Sequence, residues 1–298
     1  MRKNGKIKQR RKQVKGTVAS IMKKLRSSLI SLLFLLVGSL LVVFLLNILF
    51  KQPEDEQTTP KKTPQPIELV AIGDSLTEGI GDSLSNGGYV SRIAELLEEK
   101  EAVAEVTTQN FGVSGNRSDQ VLSRMGTNPE MKTAVEAADL VVFSVGGNDV
   151  IRIFKDELLN VQLDSFEQPL QVYQDNLTKM IQLVHEWNPG TDIYIFGIYN
   201  PYAIYFPEID EMQRIVDEWN QTTQNIVAEF ESTHYVPIES AFIVEDPNSL
   251  VQSKETNDVI ENPYLYEEDL FHPNDAGYSR MAALLLKEIE NTEHILDK

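Results

Sequence analysis

The chain has 298 residues, 42% of them hydrophobic and 24% charged, which is enough to bury one or two globular cores and excludes wholesale disorder or a fibrous repeat. It contains no cysteine, so disulfide frameworks, thiolate metal sites, cysteine nucleophiles and thioether lipidation are all excluded, and any chemistry falls to oxygen and imidazole. The net charge of −18 is segregated: residues 1–26 hold eleven Lys or Arg and no acid, leaving 16 basic against 45 acidic side chains in the rest, a balance of −29 that repels phosphate backbones and argues against a nucleic-acid partner.

The basic tail, residues 1–26, leads directly into Ser27–Phe50, twenty-four residues without a charge. About 20 apolar residues suffice to cross the hydrocarbon of a bilayer as a helix. Lys and Arg crowd its N-terminal side, and acids appear only after Lys51, so the positive-inside rule places the N-terminus in the cytoplasm and the rest of the chain outside the cell. A cleaved signal peptide would have an apolar region of about 7 to 15 residues ending in small side chains. This one is longer and ends in Asn47-Ile48-Leu49-Phe50, so we read residues 27–50 as an uncleaved single-pass anchor and the basic tail as facing anionic headgroups. Residues 51–66 contain four prolines and few apolar side chains, which makes them a stiff, solvated stalk. The remaining residues, 67–298, read as one domain without internal repeats.

Within that domain, short β-branched runs at Ile67–Ile72, Val103–Val113, Leu140–Val145, Ile193–Ile198 and Tyr235–Ile238 are strand candidates. Between them lie amphipathic stretches: Tyr89–Glu99, then Tyr173 to Val184, then Met212 to Phe230, and finally Asn274–Glu290. Strands alternating with helices predict an α/β domain with a parallel sheet covered on both faces, and a site at the carboxyl ends of its strands.

At those ends stand the residues able to do chemistry. The first run leads into Gly73-Asp74-Ser75-Leu76, which puts a serine at the rim of the sheet as a nucleophile or as a helix cap. Gly81-Asp82-Ser83-Leu84 repeats the tetrapeptide, but in a polar loop with no strand before it, so Ser75 is the candidate. Of the four histidines, His185, His234 and His294 sit in ordinary structural or surface contexts. His272 lies in Asp269-Leu270-Phe271-His272-Pro273, where a carboxylate three residues upstream reaches the ring and fixes its tautomer. Val145-Gly146-Gly147-Asn148-Asp149 offers the uncharged side-chain donor of Asn148, while Gly112 and Gly115, after the second run, offer backbone N–H groups. Each of these segments also reads as an ordinary glycine turn. Tyr199, Tyr202, Tyr205 and Phe206, with Pro201 and Pro207, either line a groove or pack an ordered loop.

In combination, Gly-Asp-Ser-Leu, Gly, Gly-Gly-Asn-Asp and Asp-x-x-His-Pro resemble the motifs of the SGNH hydrolase superfamily, the GDSL-type esterases and lipases, over Ile67 to about Glu290. The resemblance implies a flavodoxin-like three-layer α/β/α sandwich with a five-stranded sheet in the order 2-1-3-4-5. It implies Ser75 as nucleophile, His272 as base and Asp269 as third triad member. Ser75, Gly115 and Asn148 would be the oxyanion donors, Gly112 being the weaker match to the second block. No cofactor and no metal are implied, and neither G-x-S-x-G nor H-E-x-x-H occurs in the chain. The long interval Asp149 to Glu268 predicts added helices or loops that shape the substrate groove. Similarity to the lysophospholipase and thioesterase branch makes a lipid-type acyl ester the expected substrate. An O-deacetylase of envelope glycans, an acyl transferase and a non-catalytic binding module on the same fold are the alternatives. A cysteine-free ectodomain fits a bacterial envelope protein, and oligomeric state is not legible.

Overall fold

The computed structural model describes residues 22, 25–26, 28–30, 32–46, 63–157, 163–203, 205, 210–244, 251–252 and 260–292. Residues 1–21 of the basic tail, residues 51–62 of the stalk and His294 lie outside the described residues. Two compact units emerge, Met1–Lys61 and Lys62–Lys298. The first contains α1 (Ser28–Leu46), 19 residues with a mean hydropathy of 3.0 and no buried side chains. A helix of that length spans about 28 Å and is apolar on every face, so it is long and apolar enough to cross a membrane.

In the second unit, β1 (Gln65–Gly73), β2 (Val103–Gly112), β3 (Leu140–Ser144), β4 (Asp192–Phe196) and β5 (Thr233–Val236) form one parallel sheet in the order β2-β1-β3-β4-β5. This is the expected flavodoxin-like topology. The helices are α2 (Ser75–Glu78), α3 (Tyr89–Glu98), α4 (Ser118–Thr127), α5 (Pro129–Ala137), α6 (Gly147–Glu157), α7 (Glu167–Trp187), α8 (Asp210–Val227) and α9 (Asp275–Thr292).

The period of two along each strand builds the layers. Val70 and Ile72 of β1, with Val141 and Phe143 of β3, pack into one core with α4, α5, α7 and α8. Leu69, Ala71, Leu140 and Val142 point the other way and meet Tyr89 and Ile93 of α3 and Met281 and Leu285 of α9. Because both faces are covered, the central strands read as continuous apolar runs. Four helices fall outside the amphipathic stretches that the periodicity marks: α2, α4, α5 and α6. Of these, α5 is started by Asn128, whose side chain accepts from the N–H groups of Glu130 and Met131, with Pro129 at the first helical position.

The register matters most for function. Gly73 at the end of β1 pairs with Gly112 on one side and Ser144 on the other. The segments that leave those three positions, carrying Ser75, Gly115 and Asn148, therefore depart from one level of one edge.

Candidate active site

Ser75 is the first residue of α2, and Asp74 caps that helix by accepting from the Leu76 N–H at 3.1 Å. The two readings of this turn are thus compatible: the aspartate is the cap, and the Ser75 hydroxyl has no partner among the described residues. Ser75 is 4% exposed, and it lines a cavity of about 310 Å³. Its lining includes the polar Asp74, Ser144, Asn148 and Asn200 and the apolar Val145, Val150, Ile151, Ile198, Met212, Val216 and Phe271. The α6 and α8 helices in the long third interval thus supply much of the wall.

Asp74 is buried beneath the serine, and desolvation pushes its carboxyl up to about 6 against the opposing hydrogen bonds from Leu76 and Ser144. Ser144 Oγ donates to Asp74 Oδ1 at 2.9 Å and also contacts Thr77 Oγ1 at 2.6 Å, which in turn meets Tyr89 Oη at 2.9 Å. This buried hydroxyl chain was not visible in the motif, although Asp directly before a helix start is a readable cap signal.

The second segment distinguishes its two glycines. Gly112 N–H donates to Asn110 Oδ1 at 2.8 Å and is spent. Gly115 lies at φ +76, exposed, and its N–H has no partner among the described residues. The third segment turns at Gly146, at φ +112, where a Cβ would come within 2.9 Å of the Tyr173 ring and 3.0 Å of Trp219 Nε1, so only glycine fits. Asn148 follows in the first turn of α6, and its Nδ2 donates to Asn116 O at 3.1 Å, with Asp74 Oδ2 at 3.4 Å. The Asn148 amide therefore joins the second segment to the floor beneath Ser75.

His272 Nδ1 and Asp269 Oδ2 are 2.6 Å apart, while Asp269 Oδ1 accepts from the N–H groups of Phe271 at 2.9 Å and His272 at 3.0 Å. Burial alone would raise the Asp269 carboxyl, but these bonds, the His272 ring foremost, carry it below the usual carboxylate range. So compact a turn requires Leu270 at φ +54, an uncommon conformation for a side chain branched at Cγ. Tyr199 Oη donates to Phe271 O at 2.6 Å and ties the turn to the segment leaving β4. Phe271 lines the same cavity as Ser75, and the His272 ring meets it edge-on at 4.9 Å. No hydrogen bond joins Ser75 Oγ to His272 among the described residues; such bonds tighten when substrate binds.

Ser83 is elsewhere engaged. Its hydroxyl donates to Asp275 Oδ2 at 2.5 Å and its N–H to Asp275 Oδ1 at 3.0 Å, while Arg92 bridges Asp82 and Asp275. The repeated tetrapeptide is a loop clasp on the start of α9. His185 contacts Thr233, and His234 contacts Asp192. Tyr199, Tyr202 and Pro201 line the cavity, Tyr205 bonds the backbone of Asn262, and Phe206 and Pro207 lie outside the described residues.

The structure thus places Ser75 in a cavity, a carboxylate against the His272 ring, and Gly115 and Asn148 just beyond the two strands that flank β1. Residues 71–280 match the GDSL-like Lipase/Acylhydrolase family, from within β1 to within α9. The chain belongs to that family. It is therefore a carboxylic ester hydrolase of the lipase and esterase type. Protein YpmR of Bacillus subtilis is 28% identical to this GDSL hydrolase over 77% of this chain and 84% of its own length. The spore germination lipase LipC of Bacillus licheniformis is also 28% identical, over 46% of this chain and 65% of its own. Among solved structures, the lipase Lip_vut3 from a goat rumen metagenome superposes with a TM-score of 0.62 at 22% identity, covering 74% of this chain and 97% of that one. The acetylxylan esterase Axe2 of Geobacillus stearothermophilus does so at 0.55 and 21%, covering 76% and 96%. At that identity the structural likeness speaks for the fold.

Proposed function

We propose that this GDSL hydrolase is a serine esterase of lipid-type acyl esters, such as lysophospholipids, anchored in the cell membrane by α1 with its N-terminus in the cytoplasm and its hydrolase domain outside. The observation that carries the reading is the apolar body of the 310 Å³ cavity beside Ser75. An acetyl group leaves most of that space empty, whereas each methylene of an alkyl chain placed there contributes about 0.8 kcal/mol. The name of the lipase relative supports the same substrate class.

In this mechanism Ser75 Oγ attacks the ester carbonyl as its proton passes to His272 Nε2. Asp269 holds the other ring nitrogen protonated and stabilises the imidazolium. Charge on the carbonyl oxygen is taken up by the N–H groups of Ser75 and Gly115 and by Asn148 Nδ2, which gives up its long 3.4 Å bond to Asp74 Oδ2 and keeps the one to Asn116 O. Collapse releases the alcohol with the proton from His272, and water, deprotonated by the same ring, then frees the acid from Ser75. His272 carries every proton these steps move, and Asp269 stays ionised throughout.

A fluorophosphonate probe applied to the full-length chain in detergent tests the assignment. It is expected to leave one adduct, on the peptide containing Ser75, and none in Ser75→Ala. Undiminished labelling of Ser75→Ala would overturn the assignment.

A further inference from the structure

Arg124 projects from α4 beneath the rim of the sheet and is half-buried. Each of its three nitrogens donates to a neutral acceptor. Nη2 donates to Gly73 O at 2.9 Å, Nη1 to Phe111 O at 3.0 Å and Nε to Asn116 Oδ1 at 2.8 Å. Gly73 O also accepts from the Val113 N–H at 3.1 Å, and Asn116 O accepts from Asn148 Nδ2 at 3.1 Å.

These five bonds converge on the backbone that carries the three oxyanion donors. Gly73 lies two residues before Ser75, Asn116 directly follows Gly115, and the Asn116 carbonyl orients the amide of Asn148. Arg124 is thus bonded to the ends of both β1 and β2 and to the residue after Gly115. Among the described residues it has no carboxylate partner. Burial draws its pKa down, as expected of a cation partly removed from water without a counter-ion. A guanidinium there has a rigid, planar set of donors that a lysine could not reproduce.

We propose that Arg124 is the positioning residue of the oxyanion hole, fixing the donors of Ser75, Gly115 and Asn148 relative to one another by clasping Gly73, Phe111 and Asn116. The inference rests on the reading of those three residues as oxyanion donors. Arg124 does not line the cavity that would bind the acyl chain. Its loss should therefore lower kcat and leave KM in place, because the donors matter most where charge appears in the transition state.

The test uses the full-length chain in detergent, with active sites counted by fluorophosphonate labelling carried to completion, so that misfolded protein is excluded from the rate. Arg124→Ala is expected to lose about 100-fold in kcat per titrated site on a medium-chain p-nitrophenyl ester, with KM within about twofold. Millimolar guanidinium should restore a large part of that loss, and methylammonium at equal concentration should not. Should the alanine variant fail to fold, Arg124→Lys retains the charge without the fork and is expected to show the same deficit in kcat per site. Turnover per site within twofold of the parent, or a loss that appears in KM and ignores guanidinium, overturns the proposal. A Ser75→Ala control separates the two layers: if it retains full turnover, the reading of the site itself fails and the role of Arg124 with it. If it is silent while Arg124→Ala is undiminished, only the role of Arg124 fails.

Discussion

Ser144 Oγ donates to Asp74 Oδ1 at 2.9 Å, joining the ends of β3 and β1 directly beneath Ser75. Burial raises that carboxyl from 3.8 to about 6, so the folded protein binds a proton there that the unfolded chain has released. The sign follows: the contribution is fully present below about pH 3.8 and is lost as the pH rises through 6. Its size is about 3 kcal/mol. Asp74→Asn keeps the cap to Leu76 and removes the titration. In urea unfolding between pH 4 and pH 8, the variant is expected to gain stability relative to the parent as the pH rises, and a pH-independent difference would refute this account of Asp74.

Asp269 performs two tasks, which substitution can separate. Asp269→Asn can still accept from the N–H groups of Phe271 and His272 and so preserve the turn, but it no longer provides the carboxylate facing Nδ1 at 2.6 Å. It is expected to keep the thermal stability of the parent while losing between about 100- and 10,000-fold in kcat. Because the Asp269 carboxyl is held below the usual range, its own titration should not appear in the kcat/KM profile above pH 5. A stable Asp269→Asn variant with parental turnover would remove Asp269 from the mechanism.

The cavity wall predicts chain-length selectivity. Val216 on α8 faces the lumen and is buried. Val216→Phe fills part of the apolar body and should lower kcat/KM for an octanoate ester by about 10- to 200-fold, the discrimination a methylene-scale change in a pocket supports. The acetate ester should be unaffected. Equal effects on both esters would mean that acyl chains bind elsewhere.

The duplicate tetrapeptide gives a contrasting prediction. Ser83→Ala removes the hydroxyl bond to Asp275 and should cost about 1 kcal/mol in stability with no change in turnover. Loss of activity without loss of stability would make Ser83 the functional copy.

The parts of this structure that sequence shows are those written locally. The inner strands β1, β3 and β4 announce themselves as short apolar runs, whereas the edge strand β2 is largely polar and exposed; Asp269 and His272 interact across three residues of one turn. The helices α4, α5 and α6 are hard to read because each places few apolar residues in the core: Val121 and Met125 from α4, Met131, Ala134 and Val135 from α5, and Val150 and Ile153 from α6. The Asn128-Pro129 start signal was present but weak against so thin an apolar stripe. What sequence spacing hides is the long-range wiring: Arg124 reaches Gly73 across 51 positions, and Ser144 reaches Asp74 across 70. The cavity was invisible for the same reason, since Val150 and Ile151 belong to α6 and Met212 and Val216 to α8.

The central claim, a serine esterase built for alkyl acyl groups, is tested most directly by hydrolysis of a p-nitrophenyl ester series from acetate to palmitate by the full-length chain in detergent, beside Ser75→Ala. The account predicts kcat/KM that rises from acetate to a medium or long chain and disappears throughout the series in Ser75→Ala. Turnover that is highest on acetate and falls with every added methylene, or that survives the loss of the Ser75 hydroxyl, would contradict it.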